Sequence, residues 1–202
     1  MNDTAPGLRG PLDTHKRDQI VEAANEHFSR YGYAKTTVSD LAKAIGFSKG
    51  YIYKFFESKQ AIGEAICASC LNVILSAVAE SIGQGVSATD KYRRFFKVIV
   101  DQSLSLFFAD RKLYDIAAVS SAERWGSSQA YVVRIEDMLR AILLEGRESG
   151  EFERKTPLDE TCRSILQVMQ PFMNPTMLQY NLDALPEAQL EVASLVLRSL
   201  AP

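Results

Sequence analysis

Residues 37–56 read TVSDLAKAIGFSKGYIYKFF, and the spacing of their apolar positions predicts two short helices joined by a glycine turn. Thr37 is placed as the N-cap of the first helix. Its hydroxyl can accept an otherwise unpaired amide of the first turn, and Asp40 sets negative charge at the positive end of the helix dipole. Leu41, Ala42 and Ile45 turn one face inward, and Ala42 is small enough for a second helix to cross closely. Gly46 ends this helix where a positive φ is expected, and Phe47 folds back onto the apolar face. Ser48 caps the second helix, Lys49 to Phe56, which is expected to bury Ile52 and Phe55 and to turn Lys49, Gly50, Tyr51, Tyr53 and Lys54 to another surface. Glycine is less favourable than alanine inside a helix by about 1 kcal/mol. Gly50 in the first turn therefore predicts close approach by a phosphate or a base edge. Taken singly, each feature occurs on ordinary solvated helices. Together, at these offsets, they form a helix-turn-helix, whose second helix enters the DNA major groove.

Ahead of this motif stands RDQIVEAANEHFSRYGYAKTTV, residues 17–38, with Phe28, Gly32 and Tyr33 in a Phe-x-x-x-Gly-Tyr ending. Within and after it come Asp40-Leu41-Ala42, Gly46-Phe47-Ser48-Lys49-Gly50, the run Tyr51 to Phe56, and Ser58-Lys59. On these residues the segment from about His15 to Ile66, roughly a quarter of the chain, resembles the DNA-binding domain of TetR-type (tetracycline-repressor-like) transcriptional regulators. The resemblance implies an all-α protein that binds a palindromic operator as a homodimer, represses transcription and is released by a small-molecule effector. It places phosphate contacts at Tyr53 and Lys59 with a further contact from Thr37, while Lys49 and Tyr51, in the first turn of the recognition helix, fall nearest the base edges. One departure is Phe56-Glu57-Ser58, where family members often carry proline or asparagine near the middle position; it is expected to alter the bend before the next helix.

Composition fits a DNA binder once the chain is divided. The net charge is −2, but residues 1–59 carry nine Lys/Arg against seven Asp/Glu, and residues 35–59 carry five Lys against two acids. Positive charge thus collects at the motif, where phosphates would lie. Residues 1–13 hold two Gly and two Pro and are expected to form a flexible arm whose Arg9 is most simply a solvated tail residue. No uninterrupted apolar run is long enough to span a membrane and no apolar export signal opens the chain, so a cytoplasmic location and no membrane partner are expected. Cys67 and Cys70 form a Cys-x-x-Cys pair, but inside an apolar helical pattern and without a second ligand pair, so core packing is expected there and no metal site. His15 and His27 have no clustered carboxylates, and no catalytic motif or cofactor fingerprint is present.

The organisation expected is an arm at 1–13, a helix-turn-helix domain at 14–59 and a helical effector-binding and dimerisation domain at 60–202. In the last, helices are predicted at about Lys59–Ile82, Thr89–Phe108, from Asp110 to about Glu123, from Ser127 or Ser128 to Gly150, from Thr156-Pro157 to about Gln170, and from Pro186 to the end. Pro171 and Pro175 are expected to break or kink the chain. The apolar stripe Leu190, Ala193, Val196, Leu197 and Leu200 needs a surface to pack on; the family arrangement is a four-helix bundle between two subunits, against the plainer reading that the last two helices pack only within their own chain. Phe107, Tyr114, Trp125, Met169, Phe172, Met173 and Met177 are candidates for the wall of an effector cavity taking an apolar or aromatic ligand, against the plainer reading of aromatic and methionine side chains as core. Asp101, Gln102, Glu123, Arg124, Gln167 and Asn174 are its candidate polar groups. The rival for the whole chain is a helical small-molecule carrier or enzyme whose N-terminal unit is only structural.

Overall fold

The computed structural model describes residues 11–108 and 111–202, and every regular element among them is helical. The first helix, α1 (Pro11–Tyr31), already includes the first described residue, earlier than the composition suggests. Residues 11–13 therefore belong to the helix, while the rest of the expected arm, with Arg9, lies outside the described residues. The motif itself is α2 (Val38–Ala44) and α3 (Lys49–Ile52). A long α4 (Lys59–Gly83) leads into α5 (Ala88–Phe108), α6 (Arg111–Ala122), α7 (Gly126–Ser149) and α8 (Leu158–Met173). The chain ends with a single turn, α9 (Pro175–Leu178), a 3-10 turn (Leu182–Ala184) and α10 (Glu187–Ser199). Asp110, read as a cap of α6, is outside the described residues.

Two apolar cores result. The first gathers Ile20, Ala24 and Phe28 of α1, Leu41 and Ala42 of α2, and Ile52 and Phe56, then closes with Ile62 and Ile66 of α4 and with Ile116 and Trp125 from the larger body. The second is built on α5, whose Tyr92, Phe95, Phe96 and Ile99 are fully buried, and draws in Ile135, Leu139 and Leu143 of α7, Met169 and Phe172 of α8, and Val196 of α10. α4 is long and apolar enough to cross a membrane by length and composition. Here its Ile62 and Ile66 lie in the first core and its Ile74 and Val78 in the second, so it joins the two as a strut.

Several boundaries differ from the sequence reading. The recognition helix is regular only to Ile52; Lys54 and Phe55 then donate to the carbonyls of Tyr51 and Ile52, three residues back, at 3.2 and 2.9 Å. That tighter winding turns Phe56 into the core in place of Phe55, which is half-buried. α7 begins at Gly126 with Trp125 as the capping residue, so neither Ser127 nor Ser128 caps it. Pro157, not Thr156, flanks the start of α8; the Thr156 N–H is taken by the Glu153 carboxylate at 3.1 Å. α8 continues through Pro171 to Met173, because burying Phe172 and Met173 outweighs one lost backbone bond. The break falls at Asn174, whose ψ of 121° is the extended geometry imposed by the following Pro175.

Candidate nucleic-acid interface and the cavity behind it

The Thr37 and Asp40 side chains cap α2 reciprocally: Asp40 N–H donates to the Thr37 hydroxyl at 3.2 Å, and Thr37 N–H donates to the Asp40 carboxylate at 3.0 Å. The Thr37 hydroxyl, donating to the same carboxylate at 2.7 Å, and then the Thr37 N–H hold the Asp40 carboxyl below its ordinary range. Gly46 sits at φ +69°, as the turn demands, and the Ser48 hydroxyl accepts the Tyr51 N–H at 3.1 Å. Beyond this turn Ser48, Lys49, Gly50, Tyr53 and Lys54 are all exposed, and Thr37 is exposed beside them. A Cβ on Gly50 would find only the Ser48 hydroxyl, 4.0 Å away, so this stretch of backbone is open to an approaching group.

Tyr51 is half-buried, held between Phe47 at 4.8 Å and Phe55 at 5.3 Å. This aromatic ridge fixes the direction in which its hydroxyl points. Lys54 lies over the Tyr51 ring and Lys49 over the Tyr53 ring, both with the ammonium 5.7 Å from the centroid. From α1, Lys16 covers Phe47 and Arg17 covers Phe56, joining the basic end of α1 to the motif. The result is a cationic face with ordered aromatic rings on a rigid three-helix support, suited to phosphates and base edges.

Lys59 is placed differently from the other basic residues. Its ammonium donates to the Tyr33 carbonyl at 3.0 Å and lies 4.3 Å from the centre of the Tyr33 ring, so it ties the start of α4 to the end of α1. Trp125 lies on the far side of the same tyrosine, 5.5 Å away and edge-on, with its indole N–H donating to Glu123 at 2.8 Å. Burial, with Glu123 next in weight, pushes the Tyr33 phenol up to about 12. Gly63 of α4 makes room for the indole: a Cβ there would stand 2.9 Å from two of its ring atoms. Arg124, at φ +55°, swings the chain so that Trp125 turns inward. Trp125 is therefore part of the joint between head and body and lies outside the cavity wall.

Behind this joint α4, α5, α6, α7 and the α8–α9 corner enclose a cavity of about 90 Å³. Of the aromatic and methionine side chains expected to wall it, Phe107 and Met173 do so. Met169 and Phe172 are buried in the second core, Phe172 edge-on to Phe96 at 5.6 Å; Tyr114 stands against Phe108 at 5.4 Å; and Met177 is 41% exposed. All four lie outside the lining, because each belongs to a helix face turned away from it. Among the expected polar groups only Asn174 reaches it. Among the lining residues that sequence reasoning missed are six small ones, Cys67 and Cys70 of α4, Ser103 of α5, Ser120 and Ser121 of α6 and Ser128 of α7, beside larger ones such as Leu106, Tyr131 and Gln170. Two Ser-Ser pairs flanking Trp125 were the available signal, since small polar residues on inward helix faces leave space. Burial pushes the Cys67 thiol up to about 11, opposed by the nearby Ser120 hydroxyl, and also raises that of Cys70, so both are thiols at neutral pH.

The same architecture occurs in known regulators. Residues 20–66 match the family model for bacterial regulatory proteins of the tetR family, and residues 88–193 match that of the tetracyclin repressor-like C-terminal domain. The fatty acid metabolism regulator protein of Bacillus subtilis (strain 168) is 27% identical over 142 residues, covering 67% of this chain and 70% of its own. Among solved structures, the regulator PfmR from Thermus thermophilus superposes with a TM-score of 0.61 at 26% identity, over 92% of this chain and 100% of that one. The regulator FadR from Bacillus subtilis, in complex with stearoyl-CoA, shares the fold at a TM-score of 0.64 and 21% identity, over 91% of this chain and 97% of that one.

Proposed function

This chain belongs to the bacterial TetR family of regulatory proteins, and from that premise we propose that it is a cytoplasmic repressor that binds a palindromic operator as a homodimer and is released by a small apolar or aromatic effector. The observation that carries the reading is the sharing of α4 and α6 between the head core and the cavity. α6 contributes Ile116 to both the first core and the cavity wall, and Leu113, Ala117 and Ser120 to the wall; α4 contributes Ile62 to the first core, Cys70, Leu71 and Ile74 to the wall, and Ile66 and Cys67 to both. Ligand pockets occupy about 300–1,000 Å³, so a cavity of 90 Å³ must widen to admit one. Widening displaces α6, and with it the Ile116 contact on the head. A ligand that binds the widened form better shifts the equilibrium away from the DNA-competent spacing of the two heads. The stearoyl-CoA held by the Bacillus subtilis relative supports a hydrocarbon chain as the buried part of such an effector.

Dimerisation is assigned to the outer faces of α8 and α10. Val168 is 46% exposed and Leu190 53% exposed there, apolar side chains that a second subunit would cover. With two-fold symmetry, the two recognition helices reach successive major grooves. Selection of duplexes from a random pool, followed by sequencing, tests the proposal: enrichment of a palindrome with half-sites about one helical turn apart is expected. Enrichment of an asymmetric sequence, or of none, would reject it. The rival reading, in which the N-terminal unit is only structural, has no support from the relatives, which are transcriptional regulators.

A further inference from the structure

One end of the cavity gathers serine hydroxyls, and no charged group lines the cavity among the described residues. The Ser120 and Ser128 hydroxyls are hydrogen-bonded to each other across that end, and Ser121 accepts from the Asn174 amide at 3.2 Å. The Asn174 oxygen is already occupied by the Thr176 N–H and hydroxyl at 2.9 and 2.7 Å. What is left for a guest is a pair of serine hydroxyls that can donate or accept and an amide N–H that can donate. The remaining wall is mostly hydrocarbon, with Ile66, Leu71, Ile74, Leu106, Phe107 and Met173 along it, and its other polar residues, Ser103, Tyr131 and Gln170, are likewise uncharged. The charged group acting on Cys67 from beside this end is Glu64, an anion. A carboxylate placed here would be desolvated beside a like charge, and an ammonium would be desolvated with only neutral hydroxyls of the lining to accept from it.

We infer that the cavity takes an uncharged ligand, with one hydroxyl or carbonyl set among Ser120, Ser128 and Asn174 and its hydrocarbon part along the apolar wall. This rests on the cavity being the effector site. The two thiols supply a readout independent of DNA, because Cys67 and Cys70 line the cavity whereas Cys162, against the Glu136 carbonyl, does not. Alkylation of the full-length protein by N-ethylmaleimide, resolved by cysteine in mass spectra, would be followed with hexane, 1-hexanol, 2-hexanone and hexanoate at pH 7.5. Hexanol and hexanone are expected to slow alkylation of Cys67 and Cys70 at concentrations at least tenfold below those needed with hexanoate, leaving Cys162 unchanged. In Ser120→Ala/Ser128→Ala, hexanol should fall to the level of hexane. Hexanoate protecting as well as hexanol, or no probe protecting the two cysteines, would overturn the inference on the wild-type protein alone. Release of DNA is scored separately. Protection by hexanol without release leaves the ligand class standing and rejects the effector role, whereas protection and release by hexanoate keeps the role and rejects the class.

Discussion

Tyr51 and Lys59 show how one side chain's neighbours decide what it can do. Because Tyr51 is stacked between Phe47 and Phe55, removing its ring disturbs the motif as well as the surface it presents. Tyr51→Phe is the cleaner substitution. It should weaken binding to the selected operator by about 1 kcal/mol, the worth of a hydrogen bond, with no change in thermal midpoint; equal weakening on random duplex would remove the hydroxyl from sequence readout. Lys59→Ala behaves otherwise. The family resemblance alone gives it a phosphate, and with it a shallower salt dependence, but its ammonium is engaged with the Tyr33 carbonyl and ring. The variant should lose about 1 kcal/mol of stability in denaturant titrations with an unchanged salt slope. Gly63→Ala would push a methyl group into the Trp125 indole and should lower stability by about 1–3 kcal/mol while shifting the emission of the chain's one tryptophan. The caps at Thr37 and Ser48 and the turn at Gly46 were legible in sequence because each bonds or bends within four residues. Lys59 and Trp125 were not, since Tyr33, which both touch, lies 26 residues or more away in the chain.

Among elements, α5 depends on a group it does not contain. Its first amides, Ala88 and Thr89, donate at 3.0 Å each to the carboxylate of Glu151, which follows the Gly150 stop of α7. Those backbone bonds, Thr89 first, hold the Glu151 carboxyl down at about 2. Its folded pKa lies below the unfolded value of about 4.3, so its contribution is complete above that value and is lost as pH falls toward 2. Glu151→Gln should therefore lower stability at pH 7 and flatten its decline between pH 5 and 3; denaturant midpoints across that range measure it, and parallel curves for both proteins would refute it. Helix periods placed α4, α5 and α7 within a few residues. The end of α8 was misread because the local preference of Pro171 opposes helix while the burial of Phe172 and Met173 favours it, and burial is a tertiary quantity. The stripe on α10 shows the same limit. Ala193, Val196 and Leu200 are buried within their own chain, and Leu190 is left outside. Val196→Glu should therefore unfold the body, whereas Leu190→Glu should leave a folded protein that sediments as a monomer.

At the scale of the whole molecule, the head was legible because its signals are local and dense, and the body only as a set of amphipathic helices. The cavity wall depends on which faces of five helices converge, and large side chains attract attention while the space is made by Cys67, Cys70, Ser120 and Ser128. The architecture gives a regulator in which one strut and one short helix serve both the DNA face and the cavity, so binding at either should be felt at the other with equal factors. All of this presupposes that the exposed face of residues 37–56 holds DNA. Fluorescence anisotropy of the full-length protein on its selected duplex and on a mixed-sequence duplex, at rising salt, tests that directly. Log affinity should fall linearly with log salt on both duplexes, and Lys54→Ala, present twice in a dimer, should make the slope shallower by about two units. Affinity indifferent to salt, or no affinity for either duplex, would contradict the account.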